Sequence, residues 1–184
     1  MRIFDSKFRK HFGVYILQCS AATIVIILIM FALDLYRYSA IVASLGASTF
    51  IAFTTPRAYL ARTRALIGGY AIGILSGLLF HFFSNIDIVS EFFLYEPHAR
   101  IIFGGLAVGM AIFLMSVLNF EHAPAAGIAL GLLLNNWTWR SLLFIMASIT
   151  FLAMIGRLLK PYLLDLREMT NEERMRSDGV ESID

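Results

Sequence analysis

The residues best placed to do chemistry lie in one short stretch, Glu121-His122-Ala123-Pro124-Ala125-Ala126-Gly127-Ile128-Ala129-Leu130. A carboxylate and an imidazole stand side by side there, followed by small residues, in a chain that is otherwise nearly all apolar. An ionisable group in or beside hydrocarbon is costly and marks a functional site by default. Pro124 suits the first turn of a helix, which places His122 near the positive end of a helix macrodipole, where anions are favoured. Asn135 and Asn136, at the other end of that helix, can cap it or touch a ligand. The plainer account of His122 is a structural hydrogen-bonder close to the membrane interface.

Two further groups of residues offer the same chemistry. Gly46-Ala47-Ser48-Thr49 puts two hydroxyls beside a glycine in a short apolar segment. Such a stretch can unwind and present N–H groups and hydroxyls to a small anion, or its hydroxyls can back-bond to their own helix. Arg57, Arg62 and Arg64 make a cationic vestibule of the kind that draws anions to a pore, although loop cations also serve orientation alone. Arg64, shortly before Gly68-Gly69, is the preferred member. The expected anion-binding set is therefore His122, Pro124, Gly46, Ser48, Thr49 and Arg64.

Catalytic signatures are missing. His11, His81, His98 and His122 show no metal-ligand spacing, and there is no phosphate-binding loop or nucleophile elbow. Cys19 is the only cysteine and lies in an apolar run. The expectation is no enzyme, no metal and no cofactor.

The elements that must position these residues are membrane helices. Hydrophobic residues are 59% of the 184-residue chain and charged residues 15%, with a mean hydropathy of +0.75, well outside the soluble range. The net charge of +2 gives no basic footprint for nucleic acid. Gly13–Leu33, Ala65–Ile86 and Ile101–Phe120 are long enough to cross the bilayer. Tyr38–Thr55, Ala123–Trp139 and Ser141–Gly156 are shorter. This predicts an all-α polytopic bundle of about six segments, the competing count being four spans with the second and fifth segments re-entrant. Residues 1–164 form a single transmembrane domain that opens with an interfacial amphipathic segment (1–12, with Ile3, Phe4, Phe8 and Phe12). Residues 165–184 form a polar tail. With six crossings, the cations before the first span, the Arg57–Arg64 loop, Arg157 and Lys160 all fall on the cytoplasmic side, and Asp87, Glu91 and Glu96 fall outside. Ile88, Phe92, Phe93 and Tyr95 suggest an interfacial turn, and Trp137 and Trp139 aromatic-belt anchors.

Two patterns concern packing. Gly69, Gly73 and Gly77 recur every four residues, as do Gly105 and Gly109, and Gly127 and Gly131, a spacing that lets helix backbones approach closely in lipid. The halves of the chain also resemble each other. Asp34 and Glu121 each follow a long span, a short small-residue segment comes next, and Arg64-Ala65-Leu66 or Arg140-Ser141-Leu142 opens the third span. Three spans per unit would make a 3+3 inverted repeat, the alternative being a chance likeness between short hydrophobic segments.

These residues also carry a resemblance. His122-Ala123-Pro124-Ala125-Ala126-Gly127 resembles the His-Pro-Pro signature of the HPP family of integral membrane proteins. Gly46-Ala47-Ser48 looks like that family's Gly-Ala-Ser element, and Tyr59 to Arg64, leading into Gly68-Gly69-Tyr70, is similar to its upstream elements. The match covers the second to the fifth segment. Ala123 and Ala126 depart from the signature, Tyr59 and Thr63 replace two prolines, and Tyr70 stands where a histidine is usual. The resemblance implies small-anion permeation, nitrite in particular, because plastid and cyanobacterial members are associated with nitrite transport. It also implies four spans rather than six.

The reading is an inner-membrane, multi-pass transporter or channel for a small inorganic anion with both termini cytoplasmic, embedded in the lipid bilayer and packed as a homo-oligomer, with no nucleic-acid partner. The alternatives are a non-transporting assembly or scaffold subunit, or a membrane enzyme or sensor.

Overall fold

A computed structural model describes residues 12–33, 39–95, 98–135 and 137–166. The expected amphipathic segment before Phe12, Asp34, Glu96, Asn136 and the tail beyond Leu166 lie outside the described residues. Those described form seven α-helices: α1 (Phe12–Leu33), α2 (Ser39–Thr54), α3 (Thr63–Ser84), α4 (Asp87–Tyr95), α5 (Ala99–Val117), α6 (Ala123–Leu134) and α7 (Trp139–Leu159). A single 3₁₀ turn, Tyr59–Ala61, precedes α3. Four of these helices, α1, α3, α5 and α7, are long and apolar enough to cross a membrane. α2 and α6 have 16 and 12 residues, or about 24 and 18 Å of helix at 1.5 Å per residue, short of a bilayer's roughly 30 Å.

The short helices nevertheless run the same course as the long ones. At one end of the bundle, Gln18 Nε2 donates to the carbonyl of Phe53 (2.7 Å) and Leu166 N–H donates to Thr54 O (2.9 Å). At that same end Tyr59 Oη donates to Asn119 Oδ1 (3.0 Å), and His122 meets Leu60. The start of α1, the end of α2, the turn before α3, the end of α5, the start of α6 and the chain after α7 are thus tied together. At the opposite end, His81 packs on Trp137 and Phe93 on Phe103. Those contacts join the end of α3 to the segment between α6 and α7, and α4 to the start of α5. The six helices therefore alternate in direction, with Arg57, Arg62, Arg64, Arg157 and Lys160 at one end, and Asp87 and Glu91 at the other together with Arg100 and Arg140, single cations in the first turns of α5 and α7.

Exchanging α1–α3 with α5–α7 maps the helix pairings onto one another. The α1–α2 pair becomes α5–α6, α3–α6 becomes α2–α7, and α3–α5 becomes α1–α7, while α2–α6 and α3–α7 are unchanged. Because the second unit starts from the opposite end, the neighbour relations are those of a 3+3 inverted repeat, but the seams are unequal, α3 packing far more extensively on α6 than α2 does on α7.

α6 is the innermost element. Ala125, Ile128 and Ala129 have no exposed surface, and α6 packs most extensively against α3. The glycines of α3 explain the fit. A Cβ on Gly69 would lie 2.7 Å from the His122 Cβ, one on Gly73 would collide with the Ala125 carbonyl, and one on Gly77 would lie 2.8 Å from the Ala129 carbonyl. Gly127 and Gly131 do the same toward Ser44 and Ile41 of α2. Gly105 and Gly109 depart from the expectation. A Cβ there meets nothing within 4 Å, because that face of α5 looks outward with Ile101, Ile102, Leu106 and Phe113.

The ends of the helices follow local chemistry. Asn119 takes a left-handed φ of 57° and closes α5, with Phe120 N–H on Met115 O (2.9 Å) and Asn119 N–H reaching back to Ser116 O, a Schellman stop. Thr138 and Ser141 form a capping box at the start of α7. The fifth segment ends as a helix at Leu134 rather than near Trp139, since Asn135 adopts extended backbone. The outer turn is a helix, α4, in which Ile88 is exposed but Phe93 is buried against Phe103, 5.0 Å between ring centroids.

Candidate functional site

Three helices bring one polar side chain each to a common buried point. Ser48 comes from the second half of α2, Tyr70 from the second turn of α3, and His122 from the residue that precedes α6. All three are sealed from solvent. Ser48 Oγ lies 2.9 Å from Tyr70 Oη and 2.8 Å from His122 Nε2. His122 Nδ1 lies 2.9 Å from the backbone carbonyl of Leu60. Local sequence sets the ring in place. Asn119 turns the chain back over α3, Gly69 admits the His122 Cβ, and Pro124 starts α6 immediately afterwards.

Counting protons gives the direction of each bond. A carbonyl only accepts, so His122 Nδ1 carries a proton and donates to Leu60 O. In the neutral ring Nε2 is then an acceptor, Ser48 donates to it, and Tyr70 donates to Ser48. Ser48 Oγ also lies 2.9 Å from Ser44 O. If the ring is protonated, Nε2–H donates to Ser48 and the Ser48 proton passes to Ser44 O. Both arrangements satisfy every atom of the trio, so Ser48 can relay a change at His122 to α2. His122 sits in the turn before α6, outside the spanning helices. Burial pulls its pKa from 6.5 down to about 4, against a smaller upward pull from the Leu60 bond. The neutral arrangement is the resting one.

The remaining expected ligands do not all converge here. Gly46 and Thr49 occupy a different side of α2, where they line a half-open groove of about 270 Å³ between α1 and α2 together with Gln18, Cys19 and Phe50. The 46–49 stretch is not unwound. Thr49 back-bonds to Leu45 O (2.8 Å) and Ser48 Oγ keeps Ser44 O within reach (2.9 Å) in a continuous α2, which leaves the helix N–H groups to their own ladder. Pro124 supplies no N–H to the first turn of α6, and Ala125 N–H bonds His122 O at 2.9 Å. Arg64 is exposed, its guanidinium 5.0 Å from the Phe120 ring centroid, in the turn that leads to His122. Arg62 lies 5.7 Å from the Tyr59 ring and Arg57 3.5 Å from Asp165. The cations thus surround the end of the bundle at which the trio lies. Asn135 spends its amide on Gly131 O (2.8 Å).

Tyr70, Asn119 and the Leu60 carbonyl were not among the expected site residues. A tyrosine in a glycine-rich span is the one signal available, since a buried phenol needs a partner for its hydroxyl. Among the described residues, no group of three or more His, Cys, Asp or Glu is arranged to hold a metal.

An all-helical bundle with four membrane-length apolar helices, an outward apolar surface and a buried polar trio between its halves is a multi-pass integral membrane protein. The family model described as HPP, transmembrane region, matches residues 8–164. The chain belongs to the HPP transmembrane family. No match was found among curated proteins or solved structures.

Proposed function

We propose that this protein moves a small inorganic anion, with nitrite the leading candidate, across a bacterial-type inner membrane, without acting as an enzyme. The observation that carries the reading is the Ser48–Tyr70–His122 trio, buried where α2, α3 and α6 meet, at the end of the bundle that gathers the arginines. The cations raise the local anion concentration, and an anion displaces one of the trio's mutual hydrogen bonds to take a hydroxyl donor. By the positive-inside rule the arginine end faces the cytoplasm, which puts both chain ends there. The outward glycines of α5 and its apolar neighbours suit packing against further copies of the chain.

A scaffold or assembly role is the second reading. It is favoured by one observation, that the α3 glycine face is packed tight against α6. Flux of nitrite, nitrate, formate and chloride into liposomes holding the purified protein separates the two. Saturable flux of one anion, lost in His122→Ala, supports transport. Leak no greater than protein-free liposomes for all four overturns it in favour of the scaffold.

A further inference from the structure

Among the described residues, the buried side-chain polar atoms without a hydrogen-bond partner are Ser76 Oγ, His81 Nδ1 and Trp137 Nε1. Ser76 has an easy exit, because a rotation of its side chain reaches the carbonyl one turn back, as Ser44 and Thr49 already do. His81 and Trp137 have none. An indole N–H can only donate, and a buried donor left unpaired is costly.

The two rings are held together at the end of the bundle opposite the trio. His81 continues the row Gly69, Gly73, Gly77 at the same four-residue step, so it lies at the far end of the α3–α6 seam, about 18 Å along the helix from Gly69. Trp137 follows α6. Its ring centroid is 5.6 Å from that of His81 at 70°, and Phe82 and Trp139 fix it from two further sides at 6.0 and 5.7 Å. Among the described residues, the neighbouring polar side chains are committed elsewhere. Ser84 and Asn85 both donate to the His81 backbone carbonyl (2.7 and 2.8 Å), and Asn135 donates to Gly131 O. What remains is an indole N–H and an imidazole nitrogen, framed by aromatic faces, with hydrogen-bonding capacity unspent.

We propose that His81 and Trp137 form a second binding station, for a small oxygen-bearing anion, at the opposite end of the α3–α6 seam from His122. The station rests on the transport reading for its purpose, but its occupancy can be measured without flux. Trp137 and Trp139 are the only tryptophans of the chain, so in a Trp139→Phe protein all indole emission comes from Trp137. Sodium formate, a bent oxyanion that does not absorb in the emission band, is titrated into that protein in neutral detergent.

The expected result is a saturable change in Trp137 emission, with the half-saturating concentration raised at least tenfold by His81→Ala. A response that is linear in formate and equal in the two proteins overturns the station. So does a Trp137 emission change on incorporation into nanodiscs containing phosphatidylglycerol with no response to formate, which assigns the donors to a lipid phosphate. Should His81→Ala fail to fold, Trp137→Phe keeps an aromatic side chain at the position while removing the N–H together with part of the indole. It should then raise the half-saturating nitrite concentration for flux several-fold, and unchanged half-saturation overturns the proposal. A saturable titration in a protein that shows no flux leaves the station standing and removes the transport reading. A flat titration in a protein that does transport removes the station alone.

Discussion

Ser48 holds the trio together with one hydroxyl, and the consequences of removing it differ from those of removing its neighbours. Ser48→Ala strips Tyr70 Oη and His122 Nε2 of their shared partner at once, and each buried group left unpaired costs about 1–3 kcal/mol. Tyr70→Phe deletes a donor and leaves the Ser48–His122 bond intact, a loss of about 1 kcal/mol. Thermal unfolding in detergent should therefore rank Ser48→Ala well below Tyr70→Phe; equal losses would mean that the three groups do not act as one network. For transport, His122→Ala should abolish or strongly reduce flux, while His122→Gln retains part of it if hydrogen bonding alone is needed. Arg64→Gln should weaken apparent anion affinity, with a smaller loss at high salt, where its field is already screened. The pH dependence follows from His122. Its ring is held neutral in the folded protein, with a pKa lowered to about 4 from 6.5, so the unfolded chain takes up the proton first as pH falls. Its contribution is full above pH 6.5 and is lost as pH drops from 6.5 toward 4. The difference in melting temperature between wild type and His122→Gln should change across that window and stay constant above and below it.

At the scale of elements, the glycines divide into two kinds by what faces them. A Cβ on Gly73 collides with a backbone carbonyl of α6, which has no rotamer with which to move away. Gly73→Ala should destabilise by about 1–3 kcal/mol through overpacking, and Gly73→Leu should prevent assembly of the α3–α6 seam. Gly109→Ala meets nothing within 4 Å and should be neutral, or stabilising by up to about 1 kcal/mol, from helix propensity. Size-exclusion profiles after heating would show the contrast. A Gly109→Ala protein that loses an oligomer peak would place that face of α5 in a subunit contact.

For the whole molecule, alternation of six helices makes a topology that can be checked from outside the cell. In a Cys19→Ala background, a cysteine at Ala58 should be protected from an impermeant thiol reagent in intact cells, and one at Ile88, which is 80% exposed, should be labelled. Labelling at 58 and protection at 88 would overturn the six-segment course as oriented, in favour of the inverted orientation or of a four-span path with re-entrant α2 and α6. Labelling at both would mean that α3, which lies between the two positions, does not separate them, and would break the membrane course altogether.

Membrane class, six apolar segments, the brevity of the second and fifth, and the pairing of long–short–long units were all legible in the residues themselves. Run length, charge placement and glycine spacing are local properties, and a helix forms in lipid wherever its own backbone bonds must be satisfied. The same logic picked out His122 and Ser48 as chemically informative. Their union with Tyr70 was decided only by tertiary structure, because it depends on which face of α2 turns toward α6. A rotation of that helix by one residue, about 100°, would have put Thr49 there instead, which now lines the groove against α1 with Gly46. Likewise, identical four-residue spacing gave no means of telling the buried glycines of α3 from the outward pair of α5. A repeat specifies a face, and only the neighbouring helix specifies what that face touches.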